Sequence, residues 1–323
     1  MRTLITGGLG YLGGRLARVL SAASNDPIRL GTRRCVETVP GIEGASVVPM
    51  DWESEDSLER ACAGVDKLVH LAGLDMQRCA ADPVLALQVN AVATARLVRA
   101  ATRTGVRRMV LVSTAHVYGG RLEGTINEET PPVSLHPYAS SHRAREEVVR
   151  AANERGELAG TVIRLSNAYG PPAFPDADCW HLIINDLCRQ AVSGHRLVLR
   201  STGLQRRNFI PMGDACRAIV HVLEWPDDVG GRDVINAGSD WSPTVWEVAS
   251  LIRNRCRELF GFEPELARIQ PAPGETAHGL EYQSCRLEES GFRPMTDHIG
   301  EIDDLLRYCA EMIGTADSST NTN

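Results

Sequence analysis

Short apolar runs alternate with stretches of helical spacing through the first half of the chain. The runs at 3–6, 28–32, 46–49, 67–71, 108–113 and 161–165 are rich in Val, Ile, Leu and Thr and predict buried strands. Between them, 13–22, 54–62, 83–105 and 138–155 place apolar residues three and four apart, which predicts helices, with Ser54 and Asp82 as N-caps. Strand followed by helix, repeated, implies an α/β fold with a doubly wound parallel sheet and right-handed crossovers. Past Asn167 the punctuation changes. Residues 169–178 are rich in Gly, Pro and Asp, and helical spacing resumes at 179–193, 244–260 and 299–313, while 209–224 reads as a return to the first domain. The expected organisation is a first domain over 1–166, with 206–235 returning to it. A smaller, interleaved C-terminal lobe over 167–205 and 236–314 would receive the substrate, and a polar tail would occupy 315–323.

The chemistry begins at the first strand-to-helix junction, Thr6-Gly7-Gly8-Leu9-Gly10-Tyr11-Leu12-Gly13. A pyrophosphate can rest on the free N–H groups where a helix starts. Gly7 permits the tight turn, Gly10 the close phosphate approach and Gly13 close helix packing, with Tyr11 and Leu12 beside the cofactor. A bare GxGxxG also fits an ordinary glycine loop; the strand before it and the helix after it make it a Rossmann fingerprint. The second strand ends in Gly31-Thr32-Arg33-Arg34, without a carboxylate for a ribose 2′-hydroxyl. Thr32, Arg33 and Arg34 suit a 2′-phosphate, so NADP is favoured and NAD is possible; the other reading is a solvated basic turn. Asp51, before Trp52, closes the third strand and either takes the adenine amino group or begins the next helix.

Composition narrows the partners. The 323 residues are 43% hydrophobic and 23% charged, ordinary globular values. A formal net charge of -7 offers no chain-wide attraction to nucleic acid or anionic lipid. Nine scattered cysteines without a CxxC argue against a disulfide framework or a metal site. Neither a leader pattern nor an apolar run of membrane-spanning length is evident, and a cytoplasmic location is expected. Lys67 is the one lysine among 34 basic residues, so a motif that demands lysine has almost nowhere to find it.

Several blocks occur in order: TGGLGYLG from Thr6, the strand end at Asp51, HLAG from His70, Asn90, VSTAHVYG from Val112, YASSH from Tyr138, RLSNAYGP from Arg164 and RRNFIPMGD from Arg206. Together they resemble the extended short-chain dehydrogenase/reductases of the epimerase/dehydratase group over nearly the whole chain. The resemblance implies that Leu71, Ala72, Gly73 and Asn90 lie beside the cofactor. It makes Thr114 the hydroxyl partner of Tyr138, and Tyr138 the proton-transfer residue. The family lysine four positions after that tyrosine, which also holds the nicotinamide ribose, is here His142, followed by Arg143. Three readings stand open: His142 substitutes as an imidazolium, Arg143 reaches in, or redox turnover is lost.

On the substrate side the resemblance implies His116 near the sugar, Asn167 on the sugar or phosphate, and Arg207 on a nucleoside diphosphate. A second diphosphate arginine is missing from Gln270-Pro271-Ala272-Pro273-Gly274-Glu275, although Arg268 is near. The implied reaction is oxidation or reduction of a sugar carbon, C4, of a nucleoside-diphosphate sugar by an epimerase or ketoreductase. Ala115-His116 stands where a dehydratase has Asp-Glu, which disfavours dehydration. The alternatives are a non-nucleotide sugar or small hydroxy or keto substrate, and a non-catalytic NADP-binding sensor. A homodimer through 83–104 and 138–155 is also implied.

Overall fold

The central strands are apolar toward both sides, the pattern of a parallel sheet covered by helices on each face. The structure, a computed structural model, describes residues 1–34, 36, 39–226 and 233–320, with 314–320 as backbone alone. Strands β1 (Thr3–Thr6), β2 (Ile28–Thr32), β3 (Ala45–Pro49), β4 (Lys67–His70) and β5 (Arg108–Thr114) come first, with helices α1 (Tyr11–Ala23), α2 (Glu55–Cys62), α3 (Met76–Ala81), α4 (Pro83–Ala86) and α5 (Ala93–Arg103) between them. Next come β6 (Gly124–Ile126), α6 (Pro137–Glu154), β7 (Ala159–Leu165), β8 (Asn167–Tyr169), α7 (Ile183–Gly194), β9 (Arg196–Val198), β10 (Phe209–Pro211) and α8 (Met212–Leu223). The described chain ends with β11 (Val234–Ala237), α9 (Val245–Phe260), β12 (Glu265–Ala267), β13 (Leu280–Tyr282), α10 (Cys285–Glu289) and α11 (His298–Thr320). One seven-stranded parallel sheet runs in the order β11-β7-β5-β4-β1-β2-β3.

Alternation along each strand builds two cores. Ile5, Val69, Val110 and Ile163 meet Leu16 of α1 and Ile219 of α8 on one face. Their neighbours Leu4, Leu68, Met109 and Val162 meet Leu58 of α2, Leu97 of α5 and Val149 of α6 on the other. Each such aliphatic side chain contributes about 1.5–3 kcal/mol of burial free energy. A third core joins α7, α9 and α11 through Leu187, Ile252 and Leu305, with Phe209 of β10. The strand pairs β8–β10 and β9–β12 lie in the same part of the chain.

Three features differ from the pattern read in the sequence. The helix expected over 83–105 is α4 and α5 joined by a π-helical turn, Leu87–Val92, with Asp82 capping α4 through Leu85 N at 2.9 Å. By length and composition Pro83–Arg103 could cross a membrane, where the sequence reading found no such run. A helix laid against a sheet reaches the same apolarity through the face it buries, here Leu97, Val98 and Ala101. Last, the backbone of α11 continues to Thr320 through much of the segment read as a tail, and residues 321–323 lie outside the described residues.

Candidate active site

The glycine loop leaves β1 and enters α1 at the C-terminal end of the sheet. Gly7 has a left-handed backbone, φ +69°, and a Cβ there would sit 3.0 Å from Ala72 N. A Cβ on Gly13 would lie 2.2 Å from Gly7 O, so α1 can press onto the loop only because position 13 has no side chain. Gly10 precedes the first turn of α1 with no side-chain cap, which leaves the helix-start N–H groups to a ligand. Leu12, Leu71 and Gly73 line the same cavity. Tyr11 also lines it, and its hydroxyl donates to Gly170 O at 2.7 Å.

Other residues expected at the cofactor surround this loop without lining the cavity. Thr32 Oγ1 accepts from Arg34 N at 3.0 Å, Arg33 is exposed, and Arg34 is in an ion pair with Asp176. The paired Arg34 is therefore half of the solvated basic turn that the sequence also allowed. Asp51 is exposed and its Oδ1 accepts from Glu53 N at 3.0 Å, which makes it part of the turn into α2. Trp52 stacks obliquely 5.7 Å from the His70 ring. Asn90 is fully buried in the π-helical turn, accepting from Leu74 N at 2.9 Å and donating to Ser141 Oγ at 2.9 Å. It holds the 72–74 loop against α6 from behind, and Ala72 O accepts from Arg145 in the same layer.

Where β5 ends, Thr114 caps a short 3-10 turn and lines the cavity together with Tyr138. Burial pushes the Tyr138 phenol above the ordinary tyrosine range, while the Thr114 hydroxyl and the Arg145 charge pull it down. The His142 ring lies 4.4 Å from the Tyr138 ring, with Nδ1 3.5 Å from Ser113 Oγ. At His142 burial works against the imidazolium reading. Burial, then the charge of Arg145 and the neighbouring His70 and His116, hold its pKa well below the ordinary histidine value, so the ring is neutral at neutral pH. Arg143 is half-buried and does not line the cavity, because one helix position rotates it about 100° away.

His116, Asn167 and Arg207 line the same cavity. His116 is edge-on to Tyr138 at 6.3 Å, its Nδ1 is buried without a hydrogen-bond partner among the described residues, and burial followed by Arg207 and His136 pushes its pKa down to about 4. Asn167 Nδ2 donates to Asn208 O at 2.8 Å, joining β8 to β10. Arg207 lines the cavity and is in no ion pair among the described residues. Arg268 is diverted: its guanidinium lies 3.9 Å over the Trp246 ring and donates to Thr202 O. Arg200 lines the cavity instead, as does Arg189, which is itself paired with Asp186 and lies over the Trp180 ring. Neither stands in a motif, and only the bias of this chain toward arginine hinted at them. Arg145, which also lines the cavity, was missed as well; its signal is its spacing, seven positions after Tyr138. The whole cavity measures ≈ 910 Å³, within the size range of small-molecule and cofactor sites.

The model of the NAD dependent epimerase/dehydratase family matches residues 3–238. A dTDP-glucose 4,6-dehydratase of Streptomyces niveus is 28% identical over 312 residues, spanning 91% of this chain and 88% of that protein. A UDP-glucose 4-epimerase of Azospirillum brasilense is 27% identical over 325 residues, spanning 93% and 89%. Among solved structures, MoeE5 in complex with UDP-glucuronic acid and NAD superposes with a TM-score of 0.81 at 25% identity, covering 97% of this chain and all of that one.

Proposed function

We propose, from the premise that this chain belongs to the NAD dependent epimerase/dehydratase family, that it oxidises or reduces C4 of the sugar in a nucleoside-diphosphate sugar. The observation that carries this reading is the convergence on one cavity of the glycine loop, the Thr114–Tyr138 pair and Arg207. A nicotinamide dinucleotide fits the loop, whose glycines leave a cradle that a Cβ would fill, and when bound it supplies the hydride acceptor or donor. Tyr138 moves the proton of the reacting hydroxyl, and Thr114 holds the phenol in place for that transfer. Arg207 offers a planar fork to diphosphate oxygens, with Arg189 and Arg200 further along the cavity.

No carboxylate stands between Thr114 and Tyr118, where Ala115 and His116 are found, and this favours epimerisation or ketone reduction over loss of water. The finer choice of NADP rests on Arg33, exposed at the end of β2, against the NAD bound by MoeE5. We also read the protein as a homodimer through the exposed face of α4 and the π-helical turn, where Val84 is 66% and Leu87 47% exposed.

The test mixes the protein with NAD or NADP, oxidised and reduced, and a panel of UDP- and dTDP-sugars and their keto forms. Absorbance at the reduced-nicotinamide band follows redox, and proton NMR follows interconversion at C4. Wild type turns over at least one sugar, and Tyr138→Phe lowers the rate about 10²–10⁴-fold while binding cofactor as before. A fully active phenylalanine variant removes Tyr138 from the role, and an inert wild type across the panel overturns the reading.

A further inference from the structure

We propose that Arg145 is the positioning residue that supplies, behind Tyr138, the fixed positive charge this chain lacks at position 142. The inference deepens the reaction proposed above and rests on it for its purpose, though not for its test. Tyr138, His142 and Arg145 are four and then three positions apart on α6, so they share one face of the helix. Arg145 is 1% exposed and yet borders the cavity.

Its guanidinium spans the ends of two central strands. It donates to Val112 O of β5 at 2.9 Å, to His70 O of β4 at 3.5 Å and to Ala72 O at 3.2 Å. Its Nε is buried without a hydrogen-bond partner among the described residues. A Cβ on Gly73 would lie 2.9 Å from Nη1, so the guanidinium abuts the backbone that floors the cavity. Among the described residues no carboxylate pairs with it. Glu146, next along the helix, is committed to Arg164 at 2.8 Å and to Ser113.

A buried cation held by carbonyls alone costs several kcal/mol to desolvate. Such a charge is informative when it faces a group that must become an anion. The titratable groups around it are Tyr138 and His142 on α6, His70 on β4, His116 beyond β5, and Glu146, with Asp75 and Cys79 also facing Tyr138. The three histidines are held neutral by burial, which leaves Arg145 as the cation that acts on the phenol among the described residues. Burial brings Arg145 itself down to about 10, so it remains protonated at neutral pH. In the oxidative direction the sugar carbon gives up a hydride to the nicotinamide, and the hydroxyl proton passes to Tyr138 as phenolate. The charge of Arg145 stabilises that phenolate before the transfer, and loses its counterpart after it.

Ultraviolet difference absorbance of tyrosinate, wild type minus Tyr138→Phe, follows the Tyr138 titration with and without NAD or NADP and needs no sugar. Arg145→Gln keeps amide donors for the carbonyls and removes the charge; it raises the midpoint by about one pH unit or more, the usual effect of losing an adjacent opposite charge. Arg145→Lys keeps a charge with fewer donors and holds the midpoint within about half a unit of wild type. A role confined to bracing the carbonyls predicts the reverse ranking in thermal stability and no shift in the midpoint. An unchanged midpoint in folded Arg145→Gln overturns the proposal. So does a lysine variant displaced as far as the glutamine one. Should Arg145→Gln fail to fold, as circular dichroism would show, the lysine variant decides: a wild-type midpoint supports the charge and a raised one overturns it. A midpoint that shifts as expected in a protein that transforms no sugar leaves Arg145 in place and overturns the proposed reaction instead.

Discussion

His70, His116 and His142 are each neutral in the fold for the same first reason, burial, and each therefore couples stability to pH. Their folded pKa values lie below the unfolded value of ~6.5, so below that pH the unfolded chain binds more protons than the folded one. Stability is fully present above pH ~6.5 and is lost as pH falls, at about 1.4 kcal/mol per pH unit for each histidine. Urea midpoints should drop between pH ~7 and ~5, and His116→Gln should make the drop shallower. A midpoint unchanged across that range in wild type would refute the neutral assignment. The tyrosine, its threonine partner and the departure at 142 were legible in the motifs. The neutrality of His142 was not, because the desolvation that sets it comes from β4 and β5, far away in sequence. Arg145 could have been found from a helical wheel starting at Tyr138, since position 145 falls two turns on, but charged residues at that spacing are usually exposed.

The strands could be read because a strand buried on both faces is a short unbroken apolar run, and β1 and β2 have the very bounds the pattern predicts. Ser54 and Asp82 cap where expected because capping is local chemistry. The π-helical turn and β11 are among the elements that escaped. The π-helical turn adds one residue to a helical turn without altering composition, and β11 is four residues long with a polar Asn236 within it. The end of β2 stands between these cases: the basic turn Thr32 to Arg34 is plain in the sequence, but the Arg34–Asp176 pair joins residues 142 positions apart. On the proposed NADP preference, that pair leaves Arg33 as the residue to meet the 2′-phosphate. Arg33→Ala should weaken NADP about tenfold or more, the worth of a hydrogen bond to a charged group, and leave NAD unchanged. Fluorescence titration of both dinucleotides checks this, and equal losses or none would remove Arg33 from the assignment.

The molecule gathers its chemistry at the C-terminal ends of β1, β4 and β5, in the crevice where an open parallel sheet receives ligands. The later segments close that crevice through specific ties to α1. Tyr11 bonds Gly170 O, while Arg15 donates to Pro171 O at 2.7 Å and to Glu301 at 3.1 Å. Among the described residues nothing covers the outer face of α4 and the following turn. Val84, Leu87 and Val92 project there, and neighbouring exposed aliphatic side chains, unlike single ones, are the kind of surface that the proposed homodimer would cover. A second copy of the chain meets this need if the same face packs on itself about a two-fold axis. Sedimentation velocity at micromolar concentration should then show a dimer. Val84→Asp with Leu87→Asp should convert it to a folded monomer, because each buried face would carry two unpaired charges. The cavity is lined by one chain among the described residues, so the monomer should still bind dinucleotide. A wild type that sediments as a monomer, or a double variant that remains dimeric, would place the interface elsewhere or nowhere.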